Sequence, residues 1–290
     1  MAGRITFSGH ETFPLRYTWL AKGVRASSIL DSDEAMAELG VGKNMVRAIK
    51  YWCMVSDLLE ESKDSPLVPT VLGEKLFGFQ GLDPCFEDPA TLWLMHWQLS
   101  SRIEGASISH LMFNHWRSET FTKESALAWL LEWVKQTQGV RATENTLKRD
   151  LDVFVRSYAP ISSSKARSIE DTLDCPLSEL GLLRAGSAGE FAFVRGPKPS
   201  IPVEIFGFAL ERFWQNEGIA NRQTLSFEEV LYAPGSPGQV FKLDEEGITA
   251  YLESLEDLTS GGYIFDTTAG LRQVLRKYPS EPLNFIEIHY

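Results

Sequence analysis

The stretch DSDEAMAELGVGKNMVRAIKYWCMVSDLLE, residues 31–60, decides the fold class. Asp31 and Ser32 offer side-chain oxygens to a helix N-terminus, and the apolar spacing behind them predicts a short helix to about Leu39. Gly40-Val41-Gly42 interrupts it. A second helix is predicted over residues 43–60, with Val46, Ile49, Trp52 and Cys53 on its apolar side. Two helices about a short glycine turn read as a helix-turn-helix. Residues 67–77 then read as an extended piece and a capped helix, and a small strand behind the second helix is the order of a winged helix.

The same order recurs downstream. Trp93, Leu94, Met95, His96 and Trp97 mark residues 88–99 as a buried helix. Helices are predicted over 123–138 and, from Thr143, to Tyr158, with Leu147, Leu151, Phe154 and Val155 at helical spacing and Gly139 in the turn. Phe191-Ala192-Phe193-Val194 reads as a strand or wing. Residues 203–214, 227–231 and 245–255 read as helices, and Tyr263-Ile264-Phe265-Asp266 as a strand. The expected fold is mainly α with short β wings, built from several winged-helix-like modules. Its expected domains are residues 1–85, 86–200 and 201–290. The last carries six carboxylates and no basic residue between Asp244 and Asp257, which fits a scaffold or partner-binding module better than a DNA reader.

The 290 residues are 43% hydrophobic and 23% charged, the balance of an ordinary globular chain. A net charge of −11 argues against a protein that coats nucleic acid over its whole surface, so any DNA contact must be local. Cys53, Cys85 and Cys175 are far apart and form no CxxC, so no iron–sulfur cluster, zinc site or disulfide framework is expected. The first residues lack an apolar signal core, and no run reaches membrane-spanning length. A soluble cytoplasmic protein without a membrane partner is expected.

Positive side chains gather in a few places. Lys43, Arg47 and Lys50 share one helix face, with Asn44 beside the helix N-terminus. A second group is Arg141, Asn145, Lys148, Arg149 and Arg156, followed by Lys165 and Arg167 behind the loop Ser162-Ser163-Ser164. Arg195 and Lys198 flank the expected wing. All are candidates for contact with double-stranded DNA. The competing reading is a solvated surface, with Asp152 pairing Lys148 one helical turn away.

His10-Glu11 is the candidate catalytic pair. Imidazole and carboxylate together can move a proton or hold a divalent cation such as Mg²⁺. The spacing is not HExxH, and the competing reading has both side chains anchoring the N-terminal segment. His110, Asn114 and His115 resemble an HNH set only superficially, because they fall in a predicted helix. His96, Cys175, Trp93, Trp97 and Trp116 read as interior residues. Asp57, Glu61 and Lys63 lack the strand that a nuclease carboxylate–lysine arrangement needs.

Three blocks carry a resemblance. They are Phe7-Ser8-Gly9-His10-Glu11-Thr12-Phe13 with Arg16 and Trp19-Leu20-Ala21-Lys22-Gly23; Leu147-Lys148-Arg149-Asp150-Leu151-Asp152-Val153-Phe154-Val155-Arg156-Ser157-Tyr158; and Glu170-Asp171-Thr172-Leu173-Asp174-Cys175-Pro176-Leu177-Ser178-Glu179-Leu180-Gly181-Leu182. Together they resemble the SspB-like family of DNA phosphorothioation proteins. The resemblance implies a DNA-binding, DNA-nicking component of a bacterial modification and anti-phage defence system, which opens the backbone for sulfur insertion. The alternative is a non-catalytic adaptor that positions sulfur-transfer partners on DNA. The implied partners are a cysteine desulfurase, an ATPase and a PAPS-reductase-like iron–sulfur protein. The resemblance assigns no catalytic residue.

Overall fold

The computed structural model describes residues 5–61, 67–159 and 175–290. They gather into two compact units, Met1–Ser109 with Ser118–Val194, and His110–Arg117 with Arg195–Tyr290. The fold is mainly α, with three small antiparallel sheets among the described residues.

The first unit opens with α1 (Trp19–Arg25), α2 (Ala35–Leu39) and α3 (Lys43–Val55). Gly40 closes α2 with a φ of 65°, a left-handed cap that glycine adopts without a Cβ clash. α1 packs against α3, and the buried side of α3 is Val46, Ala48, Ile49, Trp52 and Cys53. The helix predicted to residue 60 stops at Val55. Asp57 takes a left-handed φ of 60°, the Leu58 N–H donates back to the Cys53 carbonyl at 2.9 Å, and the chain turns into β1 (Leu59–Glu60). Leu58 and Leu59 remain buried, so the apolar pattern runs on after the helix has ended. β1 pairs with β2 (Val68–Pro69), and α4 (Val71–Phe77) follows, capped by the Thr70 hydroxyl accepting from Gly73 N–H.

α5 (Pro89–Ser100) is apolar on every side and is buried from Ala90 to Ser100. Such a helix belongs in a core. Full burial of a large apolar side chain stabilises by roughly 1.5–3 kcal/mol, so Trp93 and Trp97 alone make α5 the centre of this unit. His96 is satisfied inside it, 2.9 Å from the Tyr158 hydroxyl. α6 (Ser107–Asn114) then leads to β3 (Thr120–Thr122), α7 (Lys123–Gln136), α8 (Glu144–Tyr158), β4 (Leu183–Ala185) and β5 (Glu190–Phe193). The three strands pair antiparallel in the order β3-β5-β4, with Phe121 opposite Phe191 and Ala185 also opposite Phe191. α7 packs on α8, and α8 turns Leu147, Leu151, Phe154 and Tyr158 inward.

The second unit repeats the plan. α9 (Val203–Trp214) precedes β6 (Thr224–Ser226), α10 (Phe227–Tyr232), α11 (Pro237–Val240), α12 (Glu245–Leu258), β7 (Tyr263–Asp266), β8 (Gln273–Arg276) and α13 (Pro282–His289). Its strand order is β6-β8-β7, again first, third, second. Glu211, fully buried on α9, accepts from the Tyr263 hydroxyl and, at 2.7 Å, from Arg276, which lies over the Trp214 ring. Among the described residues no helix is long and apolar enough to cross a membrane.

Candidate functional site

The N-terminal block folds as a tight loop between α3 and α8. Ser8, Glu11 and Thr12 take φ of 75°, 48° and 68°, and Gly9 takes 113°. Positive φ at three non-glycine residues within five positions stores roughly 1–3 kcal/mol at each and persists only where surrounding contacts enforce it.

Those contacts centre on His10. Its Nε2 lies 2.9 Å from Asp150 Oδ1, and its Nδ1 accepts from Thr12 N–H at 3.1 Å. An N–H can only meet a bare ring nitrogen, so this pattern puts the ring proton on Nε2, where it points at the carboxylate. The second Asp150 oxygen accepts from Ser8 N–H at 2.7 Å. His10 and Asp150 side chains are 6% and 7% exposed, which makes this a buried pair rather than a surface one. Tyr51 meets the imidazole edge-on and Trp52 stacks on it, while Trp52 Nε1 donates to the Phe13 carbonyl at 3.1 Å. Burial, and secondly the Asp150 carboxylate, raise the Tyr51 pKa above its ordinary value. Beneath the loop lies a cavity of about 20 Å³, bordered by His10, Tyr51, Ser107, Asp150, Ser157 and Tyr158. That is room for about one water molecule.

Glu11 faces the other way. It is half-exposed, and its carboxylate lies 3.6 Å from Arg47 on α3. Arg156, on α8, donates to the Thr12 carbonyl and, at 3.4 Å, to that of Asp152. The two candidate catalytic residues therefore have different surroundings: both His10 ring nitrogens are engaged, and Glu11 is displayed beside a cation.

The candidate DNA-contacting residues divide similarly. On α3, Lys43 and Asn44 are exposed, Arg47 leans on Glu11, and Lys50 is held by Asp31 at 2.6 and 2.8 Å. At the start of α8, Arg141, Asn145, Lys148 and Arg149 are all exposed. The Lys148–Asp152 pair of the competing reading does not form. Asp152 is taken by Lys123 at 2.6 Å, and Asp150 points into the core toward His10. Arg195 donates to the Leu243 carbonyl at 2.5 Å and to Gln239 at 2.7 Å. Lys198 is buried, and its amine pKa is lowered by that burial first, with Asp244 and Arg195 acting in opposite directions. Lys165 and Arg167 lie outside the described residues.

His110, Asn114 and His115 do lie together, with Asn114 Nδ2 3.0 Å from the His110 carbonyl and the two imidazoles 3.3 Å apart at Nε2. The Asn114 side chain also accepts from Gly235 N–H at 2.7 Å, so it fastens the second unit internally. Cys53 and Cys175 are buried and Cys85 is exposed. Among the described residues no group of three or more His, Cys, Asp or Glu converges as a metal cage. The sequence alone did not point to the Asp150 partnership, although His10 and Asp150 each sit in a block that carried the family resemblance.

A family model described as Protein of unknown function (DUF4007) matches residues 7–290. A magnesium ion-bound SspB crystal structure superposes with a TM-score of 0.88 at 27% identity, covering 100% of this chain and 89% of that one. An SspB crystal structure gives a TM-score of 0.87 with the same identity of 27% and the same coverage of 100% and 89%. No curated protein matches. The likeness to SspB expected from the three sequence blocks is thus found over the whole chain.

Proposed function

The chain belongs to the DUF4007 family, and on that premise, with its likeness to SspB, we propose that it is the DNA-binding and DNA-nicking component of a phosphorothioate DNA modification and anti-phage defence system. The observation that carries the DNA-binding part is the engagement of two of the three acids of α8; the third, Glu144, is exposed in its first turn. Asp150 is committed to His10 and Asp152 to Lys123, which leaves Arg141, Asn145, Lys148 and Arg149 presented to solvent. In a chain of net charge −11, a face whose cations Arg141, Lys148 and Arg149 outnumber the exposed Glu144 is where a phosphate backbone gains most.

The helix pair α7–α8 with strands in first-third-second order supports a winged-helix reading, in which the second helix of the pair enters the major groove. α2–α3 with the antiparallel β1–β2 pair supports a second such module, whose Lys43, Asn44, Arg47 and Lys50 add backbone contacts. α12 occupies the same place in the second unit and is acidic, so it faces a protein partner in this reading. The sulfur-transfer proteins implied by the family resemblance are candidates for that partner. DNA binding is tested by titrating duplex into the purified chain across a salt series. Lys148→Ala with Arg149→Ala should weaken binding to every sequence and reduce the salt slope by roughly one for each phosphate left unneutralised. Undiminished binding in that variant would remove the face.

For nicking, the strained loop supports Glu11 as the residue that meets the backbone and His10 as the one that positions it through Asp150. A magnesium ion held by one or two carboxylates and a substrate phosphate would need no cage. Among the described residues none forms. Conversion of supercoiled plasmid to open circles, with and without Mg²⁺, compared between the native chain and Glu11→Gln, tests the activity. Both His10 ring nitrogens are already engaged, by Asp150 and by Thr12 N–H, which favours the alternative, a non-catalytic adaptor that binds DNA. Binding without conversion in the native chain would decide for it.

A further inference from the structure

Resting on the DNA-binding reading, we infer that Asn145 and Arg149 read base edges, while Arg141 and Lys148 hold the phosphate backbone. The assignment comes from the wheel of α8. Leu147, Asp150, Leu151, Phe154 and Tyr158 are buried and fix the inward side. Opposite them, Asn145 and Arg149 are exposed one turn apart, in line with each other at the centre of the outward face. Asp152 and Arg156 continue that line, but Lys123 and the Thr12 carbonyl occupy them. Lys148 lies to one flank with the exposed Glu144 one turn before it, and Arg141 precedes the Thr143 cap, off the helix. A helix set into a groove meets base edges along its centre line and phosphates along its flanks.

The side-chain chemistry agrees with the positions. A carboxamide can exchange two hydrogen bonds with the N6 and N7 edge of adenine, and a guanidinium can donate two to O6 and N7 of guanine. Residues four apart on a helix rise roughly 6 Å, close to two base steps of about 3.4 Å. The target is therefore a duplex with an adenine and a guanine within about two base pairs. α3 is the weaker reader, because Lys50 is held by Asp31 and Arg47 by Glu11.

The test is selection of bound duplexes from a randomised pool with the full chain, then titration of the preferred and a scrambled duplex at one salt concentration. The native chain should prefer its selected duplex on the order of tenfold to a hundredfold. Arg149→Ala and Asn145→Ala should each relax the preference at one position, and Arg149→Lys, which keeps the charge but not the fork, should relax it as alanine does. Lys148→Ala should weaken both duplexes by the same factor. A native chain that binds duplex without preference, or an Arg149→Lys variant that keeps the full preference, overturns the base-reading assignment and leaves DNA binding standing. A native chain that binds no duplex overturns both.

Discussion

His10 Nε2 and Asp150 Oδ1 lie 2.9 Å apart across 140 positions of sequence, and this contact ties the N-terminal loop to α8. Removing one member leaves the other buried without its main partner, which costs about 3–5 kcal/mol for an ionic group. His10→Ala should therefore lower the urea midpoint markedly at unchanged denaturant slope. Asp150→Asn keeps one acceptor oxygen, for Ser8 N–H or for His10 Nε2–H but not for both, and should cost about 1–3 kcal/mol through the donor left unpaired. Amide exchange over residues 5–13 should speed up in both variants. An unaltered midpoint in His10→Ala would show that the loop is held by something else.

Two glycines with positive φ make a matched comparison. Gly40 caps α2 at 65°, and an added Cβ there meets nothing within 4 Å. Gly40→Ala should cost about 1 kcal/mol, the strain of a left-handed alanine. Gly9, at 113°, would drive a Cβ to 2.5 Å from the Tyr51 ring. Gly9→Ala adds crowding of about 1–3 kcal/mol to a larger strain, since 113° lies outside the left-handed well, and should be the more damaging by thermal unfolding. Equal losses would mean that Tyr51 can move aside.

Much of this architecture was legible in the sequence, for reasons that particular residues make clear. α8 declares itself through Thr143, whose hydroxyl accepts from Thr146 N–H, and through Leu147, Leu151 and Phe154 at helical spacing. α9 and α12 are as plain. β3 and β6 were missed because each is three residues long and runs directly into a capped helix, so no alternation can develop. The site was half legible. His10 and Glu11 stand out as residue types, but nothing local distinguishes Asp150 from Asp152. One turns into the core and the other out to Lys123, and only tertiary packing decides which.

The Lys123–Asp152 ion pair keeps a negative charge from neutralising Lys148, so its loss should be felt in DNA binding. Asp152→Asn should tighten duplex binding several-fold at low salt, by removing an acid from the outward face. Lys123→Met frees Asp152 to reach Lys148, four residues away, and should weaken binding by more than the missing Lys123 charge explains. In the double variant Lys123→Met with Asp152→Asn, binding should return close to that of Asp152→Asn alone. If Lys123→Met binds equally well with and without the second change, the pair has no part in exposing the face.

The second unit carries a pH signature of its own. Lys242 is 4% exposed, takes a φ of 55°, donates to the Phe113 carbonyl and sits over the Phe113 ring. Burial first, then the nearby Arg195 guanidinium, lower its pKa from 10.5 to about 7. Between those values the folded amine has released its proton while the unfolded amine still holds one, so unfolding takes up a proton and stability rises with pH. Below about pH 7 both states are protonated and the full cost of the buried charge is felt; above about 10.5 neither is, and that cost is gone. The stability difference between the native chain and Lys242→Met should therefore grow in favour of the native chain as pH is raised through this window, with a slope of at most about 1.4 kcal/mol per pH unit. Urea midpoints measured from about pH 6.5 to about 10.5 on both proteins supply the difference. A flat difference across that range would mean that Lys242 stays charged in the folded protein, held by the Phe113 carbonyl and ring.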